Sequence, residues 1–268
     1  MYDWDDAYSN SAYIPGSETL PDEWAAKAHA YRCSAITVEE DLEYGSALRE
    51  KLDIVWPDQE PCGLAVFVHG GYWMSMDKSF WTHFAEGARS SGWAVCIPGY
   101  TIAPEARIHE MTGQIGRAIG FAAQRVKGPV RIAGHSAGGH LVSRMACADT
   151  SLDASVRNRL EHVLSISGLH DLRPIMSTSM NKVLCLDEAE ARNESPALLR
   201  PRKGARLTAW VGGAERPEFL RQARLLEMMW QGFEASVSAV IDGHHNHFSV
   251  LEGLSNADSA ITHRFIKG

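Results

Sequence analysis

Apolar positions follow two rhythms along the chain. Unbroken apolar runs of strand length recur at 64–68, 93–97, 130–133, 162–166, 206–211 and 236–241. Runs of this length, bounded by glycine, proline or polar residues, predict strands buried on both faces. Between most of them the period changes to that of a helix. Ile108, Met111, Ile115, Ile119, Ala122 and Val126 fall three or four apart, which predicts an amphipathic helix over 108–126. Leu141, Val142 and Met145 form a second stripe. Pro21 and Asp22 open a predicted helix over 21–35. Before the first buried run, 37–44 and 48–56 predict two strands joined by a turn at Gly45.

This alternation predicts an α/β architecture, a mostly parallel central sheet with helices on both faces. Such sheets bind ligands at the carboxyl ends of their strands, so chemistry is expected there. No repeat, low-complexity tract or Pro/Ser-rich linker divides the chain, and 1–268 reads as a single domain. The stretch 170–202, with Pro174, Pro196 and Pro201, breaks the pattern and reads either as a lid-like insertion over the site or as an irregular packing segment with no role there.

Composition narrows the function classes. A formal charge of -7 supplies no basic field for phosphate backbones, which argues against a nucleic-acid partner. The apolar runs are too short to span a bilayer, and Met1–Asp6 lacks the basic and apolar regions of a secretory leader. Cys33, Cys62, Cys96, Cys147 and Cys185 are scattered and form no CxxC pair, the pattern of reduced thiols and a cytoplasmic location. A small-molecule substrate fits best, and a homodimer is compatible with the sequence. No two glycines are separated by one residue and no lysine follows a glycine, so the dinucleotide and P-loop fingerprints are absent and no cofactor is expected.

Candidate chemistry lies where apolar runs end. The run from Val130 passes into Gly134-His135-Ser136-Ala137-Gly138 and then into the stripe of Leu141. Strand, G-x-S-x-G and helix in that order are the setting of a nucleophile elbow, which makes Ser136 the candidate nucleophile of an α/β-hydrolase fold. Its turn would aim the Ala137 N–H at a developing oxyanion. Upstream, Val68-His69-Gly70-Gly71-Tyr72-Trp73 is a strand entering a double glycine. Gly70, Gly71 and Tyr72 are candidates for the rest of the oxyanion hole. Tyr72 and Trp73 could also wall an aromatic pocket.

A serine needs a base, and the base an orienting acid. The loop after 206–211 carries Glu215 and Glu218; the loop after 236–241 carries Asp242, His244, His245 and His247. His247 is preferred as base because it would directly precede the last helix, with Phe248 wedging it. Glu215 is preferred as acid, because Glu218 would fall in a first helical turn, where its charge suits the dipole. Three close histidines could also suggest a metal, but no second ligand cluster accompanies them and none is expected.

These strings together resemble the kynurenine formamidases (arylformamidases), α/β-hydrolases that release formate from N-formylkynurenine. The resemblance runs through His69-Gly70-Gly71-Tyr72-Trp73, Tyr100 to Pro104, the Ser136 elbow with His140-Leu141, and Ser167 to Leu172. It continues through Asn193 to Pro196, Pro217 to Gln222 and His247-Phe248. It implies Ser136 as nucleophile, His247 as base and the position of Glu215 as acid. Here glutamate stands where that family's enzymes carry aspartate. Deformylation of an arylamide is the expected activity; a small-ester carboxylesterase and a non-catalytic binding protein on the same fold are the alternatives.

Overall fold

The computed structural model describes residues 2–268. Eight strands form one sheet: β1 (Thr37–Glu43), β2 (Lys51–Trp56), β3 (Leu64–Val68), β4 (Ala94–Pro98), β5 (Val130–His135), β6 (Leu160–Ile166), β7 (Arg206–Gly212) and β8 (Ser236–Asp242). Their order is β1-β2-β4-β3-β5-β6-β7-β8. β2 runs antiparallel to β1 and β4, and all remaining pairings are parallel.

Side-chain alternation divides the core between the two faces of this sheet. Leu64, Val66 and Val68 of β3 join one apolar cluster with the helix Ile108–Arg125 and the helix Ala137–Arg144. Ala65 and Phe67 point the other way, toward Trp24, Trp81, Phe84 and the final helix Ala260–Lys267. Both faces are therefore covered, which is why β3 reads as a continuous apolar run.

Pairing register sets the position of the site. Val68 lies opposite Gly134, His135 opposite Ile166, Ile166 opposite Trp210, and Gly212 opposite Asp242. The carboxyl ends of β3, β5, β6, β7 and β8 thus finish side by side, and the loops leaving them converge.

Two local expectations change. The predicted helix over 21–35 is Leu20–Arg32. His247 precedes a 3-10 segment, Ser249–Ser255, and the last helix starts only at Ala260. Residues 170–202 fold into short helical turns whose Leu172, Ile175, Leu184, Ala191 and Ala197 are buried in the core. Trp230 Nε1 donates to the Pro196 and Leu199 carbonyls at 3.0 and 3.2 Å, and Arg107 pairs with Glu190. The apolar content that sequence periodicity could not assign is core packing.

Candidate active site

β5 ends at His135 and a helix begins at Ala137, leaving Ser136 to make the turn alone with φ 55° and ψ -116°. A non-glycine residue held there costs on the order of 1–3 kcal/mol, sustained by the packing around it. The flanking glycines make that packing possible. A Cβ on Gly138 would lie 2.1 Å from the Val68 carbonyl oxygen, and one on Gly134 would lie 2.2 Å from the Gly138 oxygen. Gly70 is equally constrained, because its Cβ would meet Ser136 Cβ at 2.9 Å. The double-glycine loop therefore runs directly beside the serine. Among the described residues the N–H groups of Gly71, Tyr72 and Ala137 donate to no backbone acceptor. Ala137 also opens its helix, where the dipole favours negative charge.

Loops after β6, β7 and β8 supply the other members. His247 Nδ1 donates to Glu215 Oε2 at 2.7 Å, with both side chains buried. The second carboxylate oxygen, Oε1, accepts the Gly212 N–H at 2.8 Å and the Ser167 hydroxyl at 2.5 Å. The Glu215 carboxylate is thus clamped on both sides, with Oε2 turned to the imidazole. His247 Nε2 and Ser136 Oγ hydrogen-bond to no protein group among the described residues, and both residues line one cavity of about 140 Å³. The cavity end of the histidine is left available.

The competing residues are occupied elsewhere. Glu218, in the first turn of Pro217–Trp230, accepts from Tyr8, Gln222 and Arg221. Asp242 accepts the Trp210 indole at 3.1 Å. His245 Nδ1 meets Ser249 Oγ at 3.2 Å, while His244 is exposed. Neither histidine lines the cavity.

Several residues in the site were not singled out by the sequence. Ser167 immediately follows β6 with a positive φ of 51°, and its place in the Ser167–Leu172 string was given no role in the sequence. His135, inside the elbow motif, donates from Nε2 to the His247 carbonyl at 2.8 Å and packs its ring 4.6 Å from that of His247. Burial, and then the neighbouring His247, hold the His135 pKa well below the usual imidazole range.

The cavity walls are aromatic. Trp24, Tyr72, Trp81 and Phe248 line it, with Trp24 and Trp81 at 4.8 Å between centroids. Phe248 packs edge-on against both Trp24 and His247. Tyr72 is one of the lining residues and Trp73 is not. Trp73 is wholly buried and donates its indole N–H to His140 Nδ1 at 3.3 Å, on the far side of the loop. No residue of 170–202 lines the cavity. Asn10, Ser11 and Trp24, from the N-terminal segment, do. Burying Leu172, Ile175 and Leu184 ties the later segment into the core.

Comparison with known proteins places this geometry in a family. A family model described as the alpha/beta hydrolase fold matches residues 65–201, from β3 through the elbow to the edge of β7. The chain belongs to the α/β-hydrolase family. It is similar to a candidate thioesterase of solved structure from Silicibacter sp. tm1040, 44% identical with a TM-score of 0.93, covering 99% of this chain and 100% of that one. It is also similar to the kynurenine formamidases of Danio rerio and Salmo salar. Each is 29% identical, over 85% of this chain and 80% of the relative. The expected resemblance to the arylformamidase branch is met by these relatives. The chain is a hydrolase of this family. Among the described residues no helix is long and apolar enough to cross a membrane, and no group of three or more His, Cys, Asp or Glu could hold a metal ion.

Proposed function

We propose that this hydrolase is a serine arylformamidase working through a covalent acyl-enzyme. The observation that carries the reading is the Glu215-bound imidazole of His247, whose other nitrogen shares a small aromatic cavity with the strained Ser136. His247 takes the Ser136 proton as Oγ attacks the formyl carbonyl, and Glu215 stabilises the imidazolium. The N–H groups of Gly71, Tyr72 and Ala137 receive the oxyanion, each worth about 3 kcal/mol where such donors have been removed elsewhere. Gly70 supplies the space that lets this loop approach. His247 then returns the proton to the leaving nitrogen, and water hydrolyses the formyl-serine.

The cavity volume supports a small acyl group. A cavity of about 140 Å³ is well below the roughly 300 Å³ at which drug-sized ligand pockets begin. It suits a formyl group and one ring against Trp24, Trp81 and Phe248. A second reading, a small-acyl esterase or thioesterase, is favoured by the relative from Silicibacter sp. tm1040. Steady-state assays on N-formylkynurenine beside short phenyl and thiophenyl esters separate the two. The formamidase reading expects the formamide to be processed with the higher kcat/KM. A preference of several orders of magnitude for the esters would remove it.

A further inference from the structure

The residue before the nucleophile makes a contact that the mechanism above does not use. His135 closes β5 and is joined to Ser136 by one peptide, which keeps their Cα atoms about 3.8 Å apart. Its Nε2 lies 2.8 Å from the main-chain carbonyl oxygen of His247. A carbonyl can only accept, so Nε2 carries the proton and Nδ1 the lone pair. Nδ1 is buried and meets no hydrogen-bond partner. Gly70 packs close to it, since a Cβ there would lie 3.3 Å away. Protonating Nδ1 would bury an N–H with nothing to accept it, so the ring stays neutral and acts through Nε2 alone.

His247 depends on that contact because its own loop holds it weakly. It sits between β8 and the 3-10 segment Ser249–Ser255. Among the described residues its carbonyl accepts from no backbone N–H, and its N–H donates to no backbone carbonyl. The neighbours are tied locally: the Asn246 N–H donates to Ser249 Oγ at 3.0 Å, and the Phe248 N–H to Asn246 Oδ1 at 2.9 Å. Two hydrogen bonds hold His247 from outside this loop, Glu215 on the ring and His135 on the main chain. The rings of Phe219 and His135 pack beside the imidazole, each 4.6 Å from it. One anchor at Nδ1 leaves an imidazole able to pivot about that bond. A second, on the main chain, fixes where Nε2 points.

We propose that His135 is a positioning residue, tying the main chain of His247 to the residue that bears Ser136 so that base and nucleophile keep one spacing. That role rests on the serine-hydrolase reading of the site and holds for whichever acyl group is cleaved. In acylation His247 takes the Oγ proton and passes it to the leaving group; in deacylation it takes a proton from water and returns it to Oγ. Drift of the imidazole slows both steps alike, while the aromatic walls that hold the substrate are untouched. The signature is a lower kcat with KM unchanged.

The test compares full-length wild type, His135→Phe and His135→Gln. Phenylalanine keeps the shape of the ring and removes the donor; glutamine offers an N–H where the histidine Nε2 stood. Loss of the one hydrogen bond predicts a kcat on phenyl formate about tenfold lower in His135→Phe, with KM unchanged. The rate at which a fluorophosphonate labels Ser136 should fall by a similar factor. His135→Gln should recover most of both rates. Because labelling needs no formamide, its slowing supports the role of His135 even where formamides prove poor substrates. Wild-type kcat and labelling rate in His135→Phe, with only urea stability reduced, would make His135 a partner for a buried carbonyl and overturn the proposal. Equal losses in the two variants would overturn it as well. Should the phenylalanine variant not fold, His135→Met replaces it under the same prediction. The wild-type ring adds a spectroscopic check: nitrogen NMR must show the Nε2-protonated neutral tautomer in the signal that His135→Gln lacks, and an Nδ1-protonated ring overturns the proposal. Wild type that neither labels nor turns over ester or formamide would remove the serine-hydrolase reading and the role of His135 together.

Discussion

Buried histidines in and around the elbow helix fall into two environments that differ in one respect. His140 uses both ring nitrogens within the protein: Nε2 donates to the Glu194 carbonyl at 2.6 Å and Nδ1 accepts the Trp73 indole. His170 does the same, with Ser165 Oγ at 2.9 Å and the Gln222 carbonyl at 3.0 Å. His247 spends only Nδ1, on Glu215, and leaves Nε2 toward the cavity. A histidine saturated by protein groups is a bracket between elements; one with a nitrogen in reserve can move a proton. Burial alone does not separate them, since all three are nearly or wholly inaccessible.

Mutations can break this contrast. The largest effect is expected at Ser136→Ala, with about a millionfold loss of kcat and no fluorophosphonate labelling of the folded protein. Glu215→Gln keeps the shape but offers His247 the wrong partner, and should lower kcat by roughly 10⁴. Retention of more than a tenth of wild-type kcat would show that the 2.7 Å pairing is structural. Ser167→Ala removes one of two clamps on Glu215 and should cost about tenfold in kcat, an effect near that of one hydrogen bond.

His140→Ala should act on stability instead. It strands the Glu194 carbonyl and the Trp73 indole and opens a cavity, costing about 3 kcal/mol in urea unfolding. The folded fraction should keep far more turnover than Glu215→Gln does, because the His140 ring bonds Glu194 and Trp73 and not Ser136 or His247. If turnover fell as far as in Glu215→Gln, the contrast between bracket and catalyst would be wrong.

Acid probes the saturated histidines without mutation. Burial lowers the His140 pKa to about 3 and that of His170 to about 4. The unfolded chain binds these protons near pH 6.5 while the folded chain does not, so stability is full above about pH 6.5 and declines as pH falls toward 4. Thermal melting between pH 7 and pH 4 should show the decline, by about 1 kcal/mol per pH unit for each histidine that stays neutral. A flat profile would mean that both rings gain solvent or charge partners on protonation.

The chain itself determined the alternation of strand and helix, the elbow around Ser136 and the order serine, acid, base. Each depends on residues close in sequence, where periodicity of two or 3.6 and the spacing of glycines act directly. The structure brought together what no local pattern could: Ser167 beneath the Glu215 carboxylate and Asn10 beside the cavity. It also turned Trp73 into the core and packed 170–202 beside the helices. Those choices follow from the register of five parallel strands, set by burial summed across both faces of the sheet. Contacts between residues far apart in sequence therefore belong to the folded molecule, while the elements that carry them were written locally.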